Sequence, residues 1–274
     1  MEPTYSFRHV SLVTDRNSLR KLLTFLSDRS SENWDIEVEL VHNTLFLTRW
    51  EKNYNLLFSG SFNSGFGHSF ESEFLGYENG MEESCSHHRM VEYEIGGMKW
   101  VVRFEADGYS VDTHQDNEAK IATSMDNLCL EDATPMMLEG VSVVRKGYLV
   151  PPSSIIEVKC RSGNRTVGRN DTLQCYISQT KHLFVGGHKD GVVHQVNKTD
   201  LSSNLEAWER GHEAELGKLL TLVEKLGKIA KGFDSRKYRL TYNRSETPKA
   251  LMILKSHEKG LSLSAEAIER CWRQ

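Results

Sequence analysis

Apolar and polar positions alternate from Trp34 to Arg49 in two runs, Ile36, Val38, Leu40 and then Thr44-Leu45-Phe46-Leu47. The His42-Asn43 pair between them suits a tight turn, so this stretch predicts a β-hairpin. Just upstream, Leu19, Leu22, Leu23 and Leu26 recur at helical spacing, and Ser18 is available to cap that helix. Met90 to Ile95 and Met98 to Phe104 flank Gly96-Gly97 and predict a second hairpin. Pro151-Pro152 open a strand over Ile155 to Cys160. Leu173 to Thr180 then precedes a strand at His182 to Gly187, which turns at Lys189-Asp190-Gly191 into Val192 to Val196. From Leu201 to Ala230 one long helical stretch carries Leu216, Leu219, Leu220, Val223 and Leu226 on one side. Tyr238 to Tyr242 against Ala250 to Lys255 makes a third hairpin, and a short helix closes the chain near Ala265 to Trp272. Tyr54 to Gly67 reads as a loop, Gly67 to Glu71 as the entry to a helix, and the polar, acidic stretch 112–134 as a surface insertion or loop. The elements predict one α+β domain over residues 1–274, with a mixed β-sheet core flanked by helices.

Two of the apolar runs contain acids. Glu105 and Asp107 close Val101-Val102-Arg103-Phe104-Glu105-Ala106-Asp107, and Glu157 precedes Lys159 in Ile155-Ile156-Glu157-Val158-Lys159. A strand repeats its side-chain direction every two residues, so each pair is expected on one face. A carboxylate in a buried strand is costly unless something pairs with it, and a hard divalent cation is the usual candidate. A strand presenting Glu-x-Lys also offers a metal ligand and a phosphate clamp side by side, which suits a metal-dependent phosphodiesterase.

Each residue also has a plainer reading. Glu105 and Asp107 could end a strand and cap a turn, since Gly108 follows. Glu157 and Lys159 could be an edge-strand charge pair. Glu71 could be a first-turn acid favoured by the helix dipole. His87 and His88 lack a third ligand at suitable spacing and read as packing or surface residues, and Trp34, Trp100 and Trp208 read as core.

Bulk properties narrow the class. Hydrophobic content of 38% and charged content of 26% are ordinary for a globular protein. No apolar run approaches the ~20 residues of a membrane helix, and Met1 to Thr14 lacks the pattern of a secretory signal, so no membrane partner is expected. A net charge of −4 argues against wholesale electrostatic binding of nucleic acid but leaves room for a local basic cleft. The five cysteines are scattered and never spaced CxxC, which fits reduced thiols in the nucleus or cytoplasm.

In order along the chain, these pieces resemble the DXO family of decapping exonucleases, whose fold is a variant of the PD-(D/E)XK nuclease type. An early arginine before a leucine-rich helix is matched by Arg16 in Arg16-Asn17-Ser18-Leu19, and a glycine, three residues and a glutamate by Gly67 to Glu71. The E-x-D motif is matched by Glu105-Ala106-Asp107, E-x-K by Glu157-Val158-Lys159, and a glutamine before the next strand by Gln179. The resemblance spans roughly Arg16 to Ala230, and the wording of Val101 to Tyr109 is similar to a divergent fungal branch. Asp15 and Asn17 depart from the aromatic and the glycine that usually flank the arginine, and His68 replaces an apolar residue.

The resemblance implies roles. Glu71, Asp107, Glu157 and the backbone carbonyl of Val158 would bind one or two Mg²⁺ or Mn²⁺ ions. Glu105 would help hold a second ion or orient the attacking water, Lys159 and Gln179 would contact the scissile phosphate or the water, and Arg16 would bind substrate phosphate. The expected function is metal-dependent hydrolysis of RNA 5′ ends: decapping, NAD-cap removal or removal of 5′-triphosphate ends, with or without 5′→3′ exonuclease activity, in the nucleus or cytoplasm. The alternatives are a non-catalytic partner that stabilises a 5′→3′ exoribonuclease, or a DNA nuclease of the same fold.

Overall fold

The computed structural model describes residues 5–50, 66–110, 136–138, 141–144, 150–163, 167–232, 237–256 and 263–272. The loop expected at Tyr54 to Gly67 falls almost wholly outside the described residues, and the insertion expected at 112–134 falls entirely outside them.

The hairpin predicted first is present as β2 (Trp34–Val41) and β3 (Thr44–Trp50), paired antiparallel, with His42 in the left-handed region at φ 52°. β1 (Leu12–Asp15) lies parallel to β3 on one side and parallel to β5 (Met98–Glu105) on the other. β4 (His88–Ile95) pairs antiparallel with β5 as the second hairpin. The third hairpin, β12 (Lys237–Tyr242) and β13 (Leu251–Lys255), joins β2 and completes a seven-stranded mixed sheet ordered β13-β12-β2-β3-β1-β5-β4.

The mixed-sheet core is divided between two sheets. β6 (Gly108–Tyr109), β9 (Ile155–Ser162), β10 (His182–Lys189) and β11 (Val192–Asp200) form a second mixed sheet ordered β11-β10-β9-β6, with β9 and β10 parallel. A two-stranded ribbon of β7 (Met136–Leu138) and β8 (Val141–Val143) stands apart.

Helix α1 (Arg16–Leu26) begins three residues earlier than a Ser18 cap would place it. Its cap is Asp15, whose carboxylate accepts from the Ser18 amide at 2.8 Å and the Ser18 hydroxyl at 2.7 Å; Ser18 is buried inside the first turn. Asp15 also accepts from the Arg49 amide at 3.1 Å, which ties the start of α1 to the end of β3. The long C-terminal helical stretch is two helices, α4 (Ser202–Gly211) and α5 (Glu213–Gly232), divided at His212. The His212 ring stacks back on Trp208, and its Nδ1 meets the Trp208 carbonyl at 2.8 Å. Leu19, Leu22 and Leu23 of α1 and Leu216, Leu219, Val223 and Leu226 of α5 cover the large sheet, where Trp34 and Trp100 are buried. The other two helices on the sheets are α2 (Gly67–Phe74) and α3 (Arg169–Ser178), and α6 (Ala265–Cys271) closes the chain. Among the described residues, no helix is long and apolar enough to cross a membrane.

Candidate functional site

The site lies where the chain passes from the large sheet to the small one. Strand β5 stops at Glu105, and Ala106 and Asp107 form the link into β6. Glu105 and Asp107 therefore do not share a strand face, as their spacing predicted: Glu105 is exposed opposite His88, whereas Asp107 turns inward. Asp107 accepts a hydrogen bond from the Val158 amide at 2.7 Å. Because a strand residue directs its N–H and C=O to the same edge, the Val158 carbonyl faces the same side as Asp107. β6 pairs with β9 only at Ile155 and Ile156, so beyond them that edge of β9 is given over to the site.

Glu157 and Lys159 do share a face of β9. Glu157 is 1% exposed and lies between two cations, with Arg16 Nη1 at 2.6 Å from Oε2 and Lys159 Nζ at 2.6 Å from Oε1. Lys159 also approaches Asp107 at 3.5 Å. The Lys159 contact is an ion pair without hydrogen-bond alignment, so the buried Oε1 lacks a directed donor. Arg16 stands at the first position of α1, where the helix dipole disfavours a cation; Glu157 offsets that, and the Phe104 ring lies 5.9 Å below the guanidinium.

Charge and burial work against each other here. Burial, and then the neighbouring Glu157 carboxylate, push Asp107 up from 3.8 to about 6, with Glu71 adding to the rise and Lys159 opposing it. For Lys159 burial acts downward, but Glu157 and Asp107 outweigh it and hold the ammonium above its ordinary range. Arg16 behaves the same way beside Glu157. Two carboxylates and two cations balance formally, so burial is the first cause of the Asp107 rise.

Glu71 reaches this neighbourhood through its helix. Phe70 of α2 is buried with Ile156, Val158 and Phe184, and its ring lies so close to Gly186 of β10 that a Cβ there would meet it at 2.6 Å. That contact seats α2 on the small sheet and brings Glu71 within electrostatic range of Asp107. The Glu71 side chain is one-third exposed and lies 3.7 Å from His68 Nδ1. Gln179 ends α3 in the left-handed region at φ 55°, exposed, with its side-chain amide donating to the Tyr176 carbonyl at 2.7 Å. The structure thus brings together Arg16, Asp107, Glu157, Val158 and Lys159, holds Glu71 at their margin, and leaves Glu105 and Gln179 turned outward.

Three contributors were not singled out from the sequence. Asp15 fixes Arg16 by capping α1, Phe104 lies beneath the guanidinium, and Cys175 is buried behind the cluster, where burial and then Glu157 push its thiol up. Of these only the Asp15 cap had a local signal, an acid three residues before Ser18.

The donor set suits a hard divalent cation, since three carboxylates and a backbone carbonyl are all oxygen ligands. Glu157 Oε1 without a directed donor and the raised Asp107 are both features that a cation would relieve. As they stand, no three His, Cys, Asp or Glu side chains among the described residues are grouped closely enough to hold a metal ion.

A family model described as "Domain of unknown function (DUF8563)" matches residues 1–272. No curated protein gives a significant sequence match. Solved structures give the fold. Candida albicans Rai1 in complex with pU5 and Mn²⁺ is similar at a TM-score of 0.58 and 12% identity, with 96% of this chain and 75% of that chain covered. Kluyveromyces lactis Dxo1 in complex with manganese is similar at 0.57 and 10%, covering 95% and 69%. Schizosaccharomyces pombe Rai1 in complex with 3′-FADP is similar at 0.56 and 12%, covering 90% and 72%. The fold implied by the DXO-family resemblance is the fold observed.

Proposed function

The chain belongs to the DUF8563 family, and we propose that it is a divalent-metal-dependent hydrolase acting on the 5′ ends of RNA. The observation that carries this reading is the buried group of Arg16, Glu157, Lys159 and Asp107 at the junction of the two sheets. A buried charge cluster with one carboxyl pushed toward neutrality and one unaligned carboxylate oxygen is poor design for stability alone. Of the solved structures with this fold, one holds pU5 with Mn²⁺, one holds manganese and one holds 3′-FADP, which supports an RNA 5′ end as substrate.

Asp107, Glu157 and the Val158 carbonyl would hold Mg²⁺ or Mn²⁺, with Glu71 turning inward from His68 to complete the set. When bound, the cation offsets phosphate charge and makes water a better nucleophile at neutral pH. The Lys159 ammonium, held charged by the carboxylates beside it, can pair with the scissile phosphate. Arg16 presents a guanidinium whose planar fork suits a phosphate bidentately. Gln179 would take its role at the phosphate only after releasing the Tyr176 carbonyl, and Glu105 would have to rotate from solvent.

The test is incubation with 5′-triphosphate, NAD-capped and methyl-capped RNA, in Mn²⁺ and in EDTA. Cleavage that requires Mn²⁺ and disappears in Glu157→Ala is expected; cleavage that survives EDTA sinks the proposal. A second reading, a non-catalytic partner of a 5′→3′ exoribonuclease, is favoured by the closure of Arg16 and Lys159 on Glu157. It predicts no cleavage by the wild type and undiminished capture of the exoribonuclease by Glu157→Ala.

A further inference from the structure

A pocket of about 290 Å³ lies further along α1 from the Arg16–Glu157 contact, walled by α1, the N-terminal turn of α3 and Trp208 of α4. Arg20, Arg29 and Arg169 line it, and Glu32 is the one acid among them. None of the three arginines pairs with a carboxylate among the described residues. Arg20 is steadied instead by the Asn17 side-chain oxygen at 2.9 Å, and Arg29 by the Ser27 hydroxyl at 2.9 Å. The Arg20 and Arg29 guanidiniums are therefore oriented by neutral partners and keep their charge available.

Trp208 does not offer a stacking platform. His212 stacks on it at 4.3 Å between centroids and Tyr176 lies at 4.5 Å, so the indole serves as an apolar wall with Leu173. The volume is at the small end of ligand sites, which run from about 300 to 1,000 Å³. Charge, size and the covered ring fit a phosphate group and give no means of reading a base.

The pocket is in line with the candidate active site. Arg16, Arg20 and Thr24 stand four residues apart on one face of α1, about 6 Å per step. Arg16 touches Glu157, whereas Arg20 and Thr24 line the pocket. Successive phosphates of an extended strand are spaced comparably. We propose that this pocket is a sequence-independent station for the phosphodiester backbone of single-stranded RNA, engaging phosphates beyond the one at Arg16. The proposal rests on the reading of the site as an RNA 5′-end site, and it adds a length dependence that the site alone does not require.

The test is binding of 5′-phosphorylated uridine dinucleotide, pentamer and decamer in EDTA over a range of salt, with ATP and inorganic pyrophosphate as separate arms. The double variant Arg20→Ala/Arg169→Ala is expected to bind the dinucleotide like wild type and the decamer roughly tenfold more weakly, with the salt slope shallower by about 1. Arg20→Lys/Arg169→Lys keeps most of that slope, and Glu32→Gln tightens the decamer. Equal loss at every length, or no loss at any, overturns the proposal. So does loss confined to ATP or pyrophosphate, which would make this a site for small anions. Mn²⁺-dependent cleavage is measured in parallel. If cleavage is absent while length-dependent binding persists, the catalytic reading fails and the pocket stands; if cleavage is intact and binding is unaltered, only the pocket fails.

Discussion

Arg16, the first residue of α1, places Nη1 2.6 Å from Oε2 of Glu157, a residue 141 positions away in the chain on β9. The contact joins the helix rooted in the large sheet to the central acid of the small one. Together with Lys159 it means that, without a cation, Glu157 is held by the side chains proposed to serve substrate phosphate. The site is thus set up for exchange: metal and phosphate binding would replace internal ion pairs that already orient the groups.

Removing Arg16 separates those roles. Arg16→Ala is expected to tighten Mn²⁺ binding, because a competing cation is gone, and to slow RNA cleavage, because a phosphate contact is gone. Glu157 keeps Lys159 as partner, so the loss of stability should be about 1–3 kcal/mol, the scale of a charged hydrogen bond. Calorimetric Mn²⁺ titration beside a cleavage assay gives both signs at once; movement in the same direction would contradict the exchange.

Asp107 sets a pH dependence. Its carboxyl is raised in the folded chain to about 6 from 3.8, so between these values the folded state binds more protons than the unfolded one. Stability therefore falls as pH rises through this window, by about 3 kcal/mol when complete. Asp107→Asn keeps an acceptor for the Val158 amide and should remove the slope. Urea unfolding in EDTA at several pH values between 4 and 8 checks it, and added Mn²⁺ should restore stability to the wild type at neutral pH.

Much of this architecture follows from local pattern. The three hairpins carry period-2 alternation and turn residues such as His42-Asn43 and Gly96-Gly97, so sequence order alone pairs their strands. Helix α3 carries no such signature: Leu173, Cys175, Tyr176, Ile177 and Ser178 are buried around most of its circumference, which erases the amphipathic period. Which sheet a strand joins depends on contacts across the chain, and the division into two sheets was hidden for that reason. Within the site, the Glu157–Lys159 pairing was legible from strand geometry. The inward turn of Asp107 was not, because it needs β5 to end at Glu105. Glu71 and Gln179 were reached only through the family pattern, Glu71 because Phe70 against Gly186 is a contact between distant segments.

Gln179 offers a separation of function from stability. A side chain in the left-handed region costs about 1 kcal/mol or more, and glycine is the usual residue at such a helix end. Gln179→Gly gives up the bond to the Tyr176 carbonyl but relieves the backbone, so stability should change by less than about 1 kcal/mol. If the amide acts at the phosphate, cleavage should nevertheless fall at least tenfold with Mn²⁺ affinity unchanged. Wild-type cleavage by this variant would remove Gln179 from the site.

Gly186 tests the seating of α2. A methyl group there would meet the Phe70 ring at 2.6–2.9 Å, closer than side chains approach, and the ring is itself buried. Gly186→Ala should therefore push α2 off the small sheet, with a cost of about 1–3 kcal/mol from overpacking. Because Glu71 follows Phe70 on that helix, Mn²⁺ affinity should fall toward the level of Glu71→Gln alone, so adding Glu71→Gln to Gly186→Ala should cost little further affinity. The smaller Phe70→Leu side chain, combined with Gly186→Ala, makes room for the methyl and should recover part of both stability and Mn²⁺ binding. Thermal melts with and without Mn²⁺ on the four variants read out the coupling, and fully additive losses would show that α2 does not carry Glu71 to the site.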